Sequence, residues 1–520
     1  MTSRFSGGDM EFELRTAPAA VREQYREEPP FCMAVLGDFS GRANRGLCQK
    51  GTELSHRQRW AADVDNFDKL PGKLGAEIYI PIGGEEGPRI EIRFGELDDF
   101  HPDRLYDRLE IFQRLKALRR CLQDASTFAA AAAEVRSWTT GRPDTDASVP
   151  PPPEKGPAQG QESDTDTLER LLGKQPVAKP PPAGAKAFVN VESLIREVVK
   201  PYIVAGADPQ QAKLIAQVDQ AISGQMRALL HDPDFQQLEA AWRMLHFMVS
   251  RVETDETLKL YIIDISKAEL AADLLSPESL QTTGAYRLIV EKSIGIPGAD
   301  PWALLVGAYT FDKTEEDVIL LRKLAKIAQA AGAPLLAGAD SHFAGCESIA
   351  ATPDPDDWRL KGETRANQRW EELRGAPEAA FVGLTLPRFL LRLPYGRETE
   401  SIDRFGFEEL SEAGDHGGHL WGNSAAACAC LLAEAFRESG WNLSNALGCD
   451  MTGLCVHVFE HDGKKHVMGG AETLLTDRAA EILIDKGLMP VLSIKGRDMI
   501  KIARFQSIAA PPTALAGRWR

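Results

Sequence analysis

The residues able to do chemistry come in small groups, and their spacing argues against most of it. Cys428 and Cys430 flank one alanine in an alanine-rich stretch of helical character. Two steps along a helix rotate a side chain by about 200°, so these thiols point apart and cannot act as a metal knuckle. They read as small buried hydrophobes, and Cys449 with Cys455 adds no ligand pair. His416 and His419 flank two glycines in an acidic loop, again with no second pair nearby. His457, His461 and His466 lie around Asp462-Gly463, which has the form of a hairpin turn, so water-exposed histidines on facing strands are expected. Asp340, Ser341 and His342 have the residue types of a hydrolytic triad. Sequence neighbours rarely converge on one reacting atom, however, and no glycine motif for an oxyanion hole accompanies them. Arg388 and Arg392 recur four residues apart and would align on a helix or on a strand. Buried ion pairing or a subunit contact is the reading for them.

No phosphate-cradling loop, dinucleotide fingerprint, His-Glu-x-x-His zinc motif or nucleophile elbow is present. Gly37-Asp38 to Gly41 is too short for a nucleotide loop and lacks its lysine. The reading is therefore a non-enzyme without cofactor or metal. The 520 residues carry 76 acidic against 60 basic side chains, a net charge of −16, which disfavours a general nucleic-acid binder. No apolar run reaches the roughly 20 residues that span a bilayer. The charged first thirty residues have no secretory pattern, and eight irregularly spaced cysteines form no disulfide framework. A cytoplasmic, thiol-reduced protein without membrane insertion is expected.

The elements that must position these residues fall into two segments. In the first, Phe31 to Leu36 is a continuous apolar run ended by Gly37-Asp38, the pattern of a buried strand entering a turn. Glu77 to Pro81 and Arg89 to Phe94 predict a pair of strands around Gly83-Gly84. Leu105, Leu109, Phe112, Leu115, Leu118 and Leu122 predict one amphipathic helix starting near Pro102. Prolines 150–153, 176 and 180–182, set among polar residues, mark 139–187 as a linker. The second segment opens with helices carrying Leu194, Ile195, Val198 and Val199, then Leu214 to Leu229, then Phe235 to Val249. From Leu258 strands and helices alternate, with strands at 258–265, 303–309 and 334–339 and a helix at 315–331. That rhythm predicts an α/β fold with partly parallel strands. The large hydrophobes Trp242, Trp302, Trp370, Trp421 and Trp441 are expected in the core or at subunit contacts.

Several segments are similar, in order, to the small and large subunits of the type VI secretion contractile sheath. Phe31 to Arg42 (FCMAVLGDFSGR) resembles the small subunit's strand and turn, and Asp65 to Asp68 and Phe94 to Pro102 follow it. Ala221 to Leu245 (AISGQMRALLHDPDFQQLEAAWRML), Ala331 to Gly345 and Phe381 to Gly396 (FVGLTLPRFLLRLPYG) resemble the large subunit. The resemblance implies two sheath-type domains. Residues 1–138 are small-subunit-like, 188–255 form the helical start of the large-subunit-like part, and 256–520 form its α/β domain without the usual carboxy-terminal extension.

As function, the resemblance implies a structural subunit that assembles around an inner tube and drives effector injection by contraction. The partners implied are other sheath subunits, the tube protein, baseplate proteins and a sheath-recycling ATPase. The short end motivates an alternative, a non-polymerising cap, baseplate adaptor or regulator. By the same resemblance Phe12, Glu13, Leu14, Arg15 and Thr16 form a strand that adds to a neighbour's sheet, with a disordered leader as the other reading. Leu194, Ile195, Val198 and Val199 are the helix offered to the ATPase, with plain bundle packing as the other. Trp242, Arg388, Arg392 and Trp421 are the interface or structural candidates.

Overall fold

The computed structural model describes residues 28–82, 87–140, 199, 211–276, 279–294, 299–360, 362–411, 415–443, 446–461 and 463–519. The expected strand at Phe12–Thr16, the stretch 141–187 of the linker, and Leu194, Ile195 and Val198 lie outside them.

One nine-stranded sheet organises the chain. Its strands are β1 (Phe31–Gly37), β2 (Arg59–Ala61), β3 (Leu258–Asp264), β4 (Trp302–Phe311), β5 (Leu335–Ala339), β6 (Val382–Leu386), β7 (Asp450–Met451), β8 (Leu488–Ser493) and β9 (Ile500–Ile502). They lie in the order β7-β9-β8-β6-β5-β4-β1-β3-β2. The six central strands from β8 to β3 are parallel, and β2, β9 and β7 add antiparallel at the edges. The strand of the amino-terminal segment therefore lies inside the sheet of the second segment, with Phe31 opposite Leu258 on one side and Leu36 opposite Gly307 on the other. The two segments thus share the main sheet.

The run Phe31–Gly37 explains the insertion. Successive side chains of a strand point to opposite faces. Phe31, Met33 and Val35 enter one hydrophobic core, while Cys32, Ala34 and Leu36 enter the other. A strand apolar on both faces can be buried only where helices cover both sides, which is the centre of a parallel sheet. Helices α1 (Glu110–Gln123), α2 (Gln211–Leu230), α3 (Pro233–Val249) and α6 (Ala425–Ser439) cover the first face. Helices α4 (Lys267–Leu274) and α5 (Glu315–Ala331) cover the second.

The predicted pair at 77–81 and 89–94 forms an antiparallel hairpin, Ala76–Pro81 with Arg89–Phe94. The single helix predicted from Pro102 is two helices, Pro102–Arg108 and α1, because Leu109 takes an extended backbone with ψ of 131°. Leu109 stays in the core across the break, and the Gln113 amide takes up the Asp107 carbonyl freed there. That is why apolar spacing alone did not reveal the break. A helix at Phe128–Thr140, absent from the sequence reading, occupies the first two residues assigned to the linker. Asp232 caps α3 by accepting from the Asp234 and Phe235 N–H groups, with Pro233 in the first turn.

Candidate assembly site

The turn after β1 is the tightest joint between the segments. Asp38 folds it by accepting from the N–H groups of Arg42 (2.6 Å) and Ala43 (2.7 Å). Gly41 sits at φ +72°, and a side chain there would strike the Glu77 carbonyl, so this corner requires glycine. Asp264 at the end of β3 accepts from Phe39 N–H (2.8 Å), Ser40 N–H (3.1 Å) and the Ser40 hydroxyl (2.7 Å). Arg42 forks onto Glu269 of α4 with two bonds of 2.8 Å, and Arg57 adds a third at 3.0 Å. Burial alone would raise the Glu269 carboxyl. The two guanidiniums and the Ser266 N–H overcome it and hold the group down at about 2. The sequence GDFSGR is thus a plug whose socket lies more than two hundred residues away.

Trp242 drives the same joint from α3. It is fully buried, its indole N–H donates to the Phe39 carbonyl at 2.9 Å, and Phe39 packs edge-on against it. One turn earlier, Glu239 points into a second buried network. Arg392 bonds Glu239 (2.8 and 3.3 Å) and Glu409 (2.7 and 2.9 Å), and Arg243 shares Glu239 at 2.6 Å. Glu409, pulled up by burial, is brought down to about 2 by Arg392, His231 and the Tyr395 N–H. Asp103 of the first segment accepts from the Asp403 and Arg404 N–H groups beside it.

Arg388 and Arg392 do not share a face. Between them Phe389–Leu390 forms a short strand paired with Trp421–Gly422. Arg392 turns inward, whereas Arg388 stays half-exposed on Glu472. All five tryptophans named from the sequence are at most 9% exposed. Val199 is helical and fully buried in the first core. Cys428 and Cys430 are buried in α6, where burial raises both thiols, Cys430 to about 12.

His457–His461 and Lys464–Met468 form the expected hairpin, but His457 is not exposed to water. It is 5% exposed, and its Nδ1 lies 3.0 Å from Nε2 of the equally buried His419. The correction has a physical origin: the loop 415–423 folds over the hairpin base, a contact invisible to local spacing. Further out, Val458 and Val467 face each other across the strands, 47% and 40% exposed. Among the described residues this is a two-stranded sheet with an apolar pair in water and unpaired edges, a form that another strand completes.

Ser341 and His342 serve separate partners. The Ser341 hydroxyl accepts from Ile349 N–H, while His342 Nδ1 faces Asp312 (2.7 Å) and Asp340 (3.0 Å) and Nε2 faces Glu347 (3.2 Å). Among the described residues Asp312, Asp340 and His342 are the cluster with donors close enough to hold a cation. Against the pull of burial, the carboxylates around His342 raise its pKa. No helix among the described residues is long and apolar enough to cross a membrane.

Two family models match the chain. Residues 13–138 match the type VI secretion system VipA model. Residues 212–509, more than half of the chain, match the VipB (EvpB) tail sheath N-terminal domain model. The type VI secretion system sheath protein TssC1 of Pseudomonas aeruginosa is 35% identical over 305 residues, covering 57% of this chain and 61% of that relative. The chain thus spans about three fifths of the relative's length. With the GDFSGR plug of the first segment seated in the sheet of the second, the chain belongs to the VipB tail sheath family and carries a VipA-type segment in the same polypeptide.

Proposed function

We propose that the protein is a non-catalytic subunit of a cytoplasmic contractile sheath, polymerising around an inner tube and driving effector injection by contraction. The observation that supports this most is the shared sheet. A small-subunit strand held between β3 and β4, with its turn bonded to Asp264 and Glu269, makes the two segments one building block. The exposed pair Val458 and Val467 supplies the place where a neighbour attaches, and Phe12–Thr16 of another copy, alternating apolar and polar, is the strand that adds there. Tube and baseplate proteins are the further partners. Engagement of a recycling ATPase through Leu194, Ile195, Val198 and Val199 requires Val199 to leave the core, which ties that contact to a rearranged state.

Negative-stain electron microscopy of the full-length chain, alone and with sheath, tube and baseplate proteins of its own cell, tests the proposal. Tubes or stacked rings are expected. Val458→Glu, at an exposed position, should abolish them while leaving the circular dichroism spectrum unchanged. Uniform monomers or small oligomers in every mixture would overturn the polymerising role.

A further inference from the structure

The last paired residues of the parallel strands β4 and β5 are Phe311 and Ala339, and an aspartate follows each. Asp340 N–H donates to the Phe311 carbonyl at 2.8 Å, so Asp312 and Asp340 leave the carboxyl end of the sheet side by side. Like charges placed so repel unless a cation joins them. Asp340 caps the next turn through the His342 N–H (3.0 Å), which carries the imidazole back onto both carboxylates. Nδ1 lies 2.7 Å from Asp312 Oδ1 and 3.0 Å from Asp340 Oδ1, and Nε2 lies 3.2 Å from Glu347. In the tautomer that gives Nε2–H to Glu347, Nδ1 turns its lone pair toward the two aspartates. An outer carboxylate that orients the ring in this way is the usual support of a metal-ligating histidine.

The spacing suits one ion. A donor atom from each of Asp312, Asp340 and His342 lies within 4.8 Å of the other two, and donors at about 2.1 Å from a shared ion stand roughly 3–4 Å apart. The charge is also uncompensated. Three carboxylates face one imidazole, and among the described residues no lysine or arginine side chain pairs with any of them. Oδ2 of Asp312 and Oδ2 of Asp340 accept no hydrogen bond there. The buried carboxylates Glu269, Glu409 and Glu472, by contrast, each hold an arginine.

We propose that Asp312, Asp340 and His342 bind one divalent transition ion of the Mn2+ or Fe2+ type, with Glu347 orienting the imidazole and water completing the coordination. The nitrogen donor disfavours Ca2+ and Mg2+, which take oxygen, and the two carboxylates without a thiolate disfavour softer ions. The ion ties the turn after β4 to the turn after β5. Through the Asp312 N–H bond to Asp317 (2.7 Å) it also secures the first turn of α5. It is a clip on the carboxyl end of the sheet, and it does not depend on polymerisation.

Two measurements on the full-length chain test it. Loss of the electron paramagnetic resonance signal of free Mn2+ counts bound ions, and Mn2+ is chosen because the eight cysteines bind it poorly. Fe2+ with ascorbate and peroxide locates the ion, since radicals formed at it cut the backbone beside it. One tightly bound Mn2+ per chain is expected, with cuts near Asp312 and Asp340 to His342. Asp340→Asn keeps an oxygen to cap the turn but removes one charge. It should weaken Mn2+ binding about tenfold or more and erase the cuts. Glu347→Gln, at a side chain 79% exposed, should weaken binding about tenfold without unfolding. No bound Mn2+, cuts only elsewhere, or unchanged affinity and cuts in Asp340→Asn would overturn the site and leave these residues an ion-paired turn. Displacement of Mn2+ by an equal concentration of Ca2+ would overturn the assignment to a transition ion.

Discussion

Acidification from pH 7 to pH 5 should open the His457–Met468 hairpin locally, ahead of the rest of the fold. His419 Nδ1 lies 2.7 Å from the Asp415 carbonyl and must carry a proton, so in the neutral pair Nε2 accepts from His457 Nδ1–H. A second proton on this pair has nowhere favourable to go. Burial, with a smaller contribution from His419, lowers His457 from 6.5 to about 4, and burial lowers His419 as well. The other groups acting on His419 are His416, which opposes a charge there, and Glu409 and Asp415, which favour it.

Once the hairpin opens, His457 regains its ordinary affinity for protons. The open state then binds more protons than the closed one between pH 6.5 and 4, so stability is complete above 6.5 and lost as pH falls. At pH 5 the loss is about 2 kcal/mol, or roughly 30-fold in the opening equilibrium. Glu269, Glu409 and Glu472, held at about 2, shed their stabilisation only below about 4.5 and change little in this window. His342, whose pKa is raised, moves in the opposite sense, but it sits after β5, away from the hairpin. Hydrogen exchange by mass spectrometry on residues 454–468, corrected for intrinsic exchange rates, isolates the local effect. About 30-fold less protection at pH 5 is expected, with the pH dependence removed in His457→Asn. Protection equal within threefold at the two pH values, or the same dependence in the variant, would refute the reasoning.

Replacing Arg392 by Met leaves buried Glu239 with Arg243 alone and Glu409 with His231 and the Tyr395 N–H, and should cost about 3–5 kcal/mol, read as a lower urea midpoint; a loss under about 1 kcal/mol would show that those remaining partners suffice. With a thiol reagent under native conditions, exposed Cys48 and Cys121 should be modified within minutes, while Cys32, Cys346, Cys428 and Cys430 stay unreacted until denaturant is added.

What could be read from the residues divides by the range of the interaction that decides each feature. Strand β1, helix α5 and the start of α3 follow from local rules: an apolar run, a 3.6-residue stripe and a capping aspartate before a proline. The burial of Trp242 follows from its type. Gly41 could be foreseen as a turn, but not as the corner beneath the Glu77 carbonyl. Arg388 and Arg392 misled because equal spacing implies a shared face only inside one regular element, and a two-residue strand ending in a loop separates them. His457 was misplaced for a related reason. Phe459 packs against its ring, but the partner that buries its Nδ1 is His419, in a loop anchored 38 positions earlier.

The same logic explains why GDFSGR could be matched to a family while its physics stayed hidden. The turn's own residues satisfy only part of its hydrogen bonding. Asp264 and Glu269, contributed by the other segment, satisfy the rest. A motif whose partners lie across the sheet is held in place by two distant parts of the sequence at once. The joint that makes one building block of two segments is therefore the feature least visible in either segment alone.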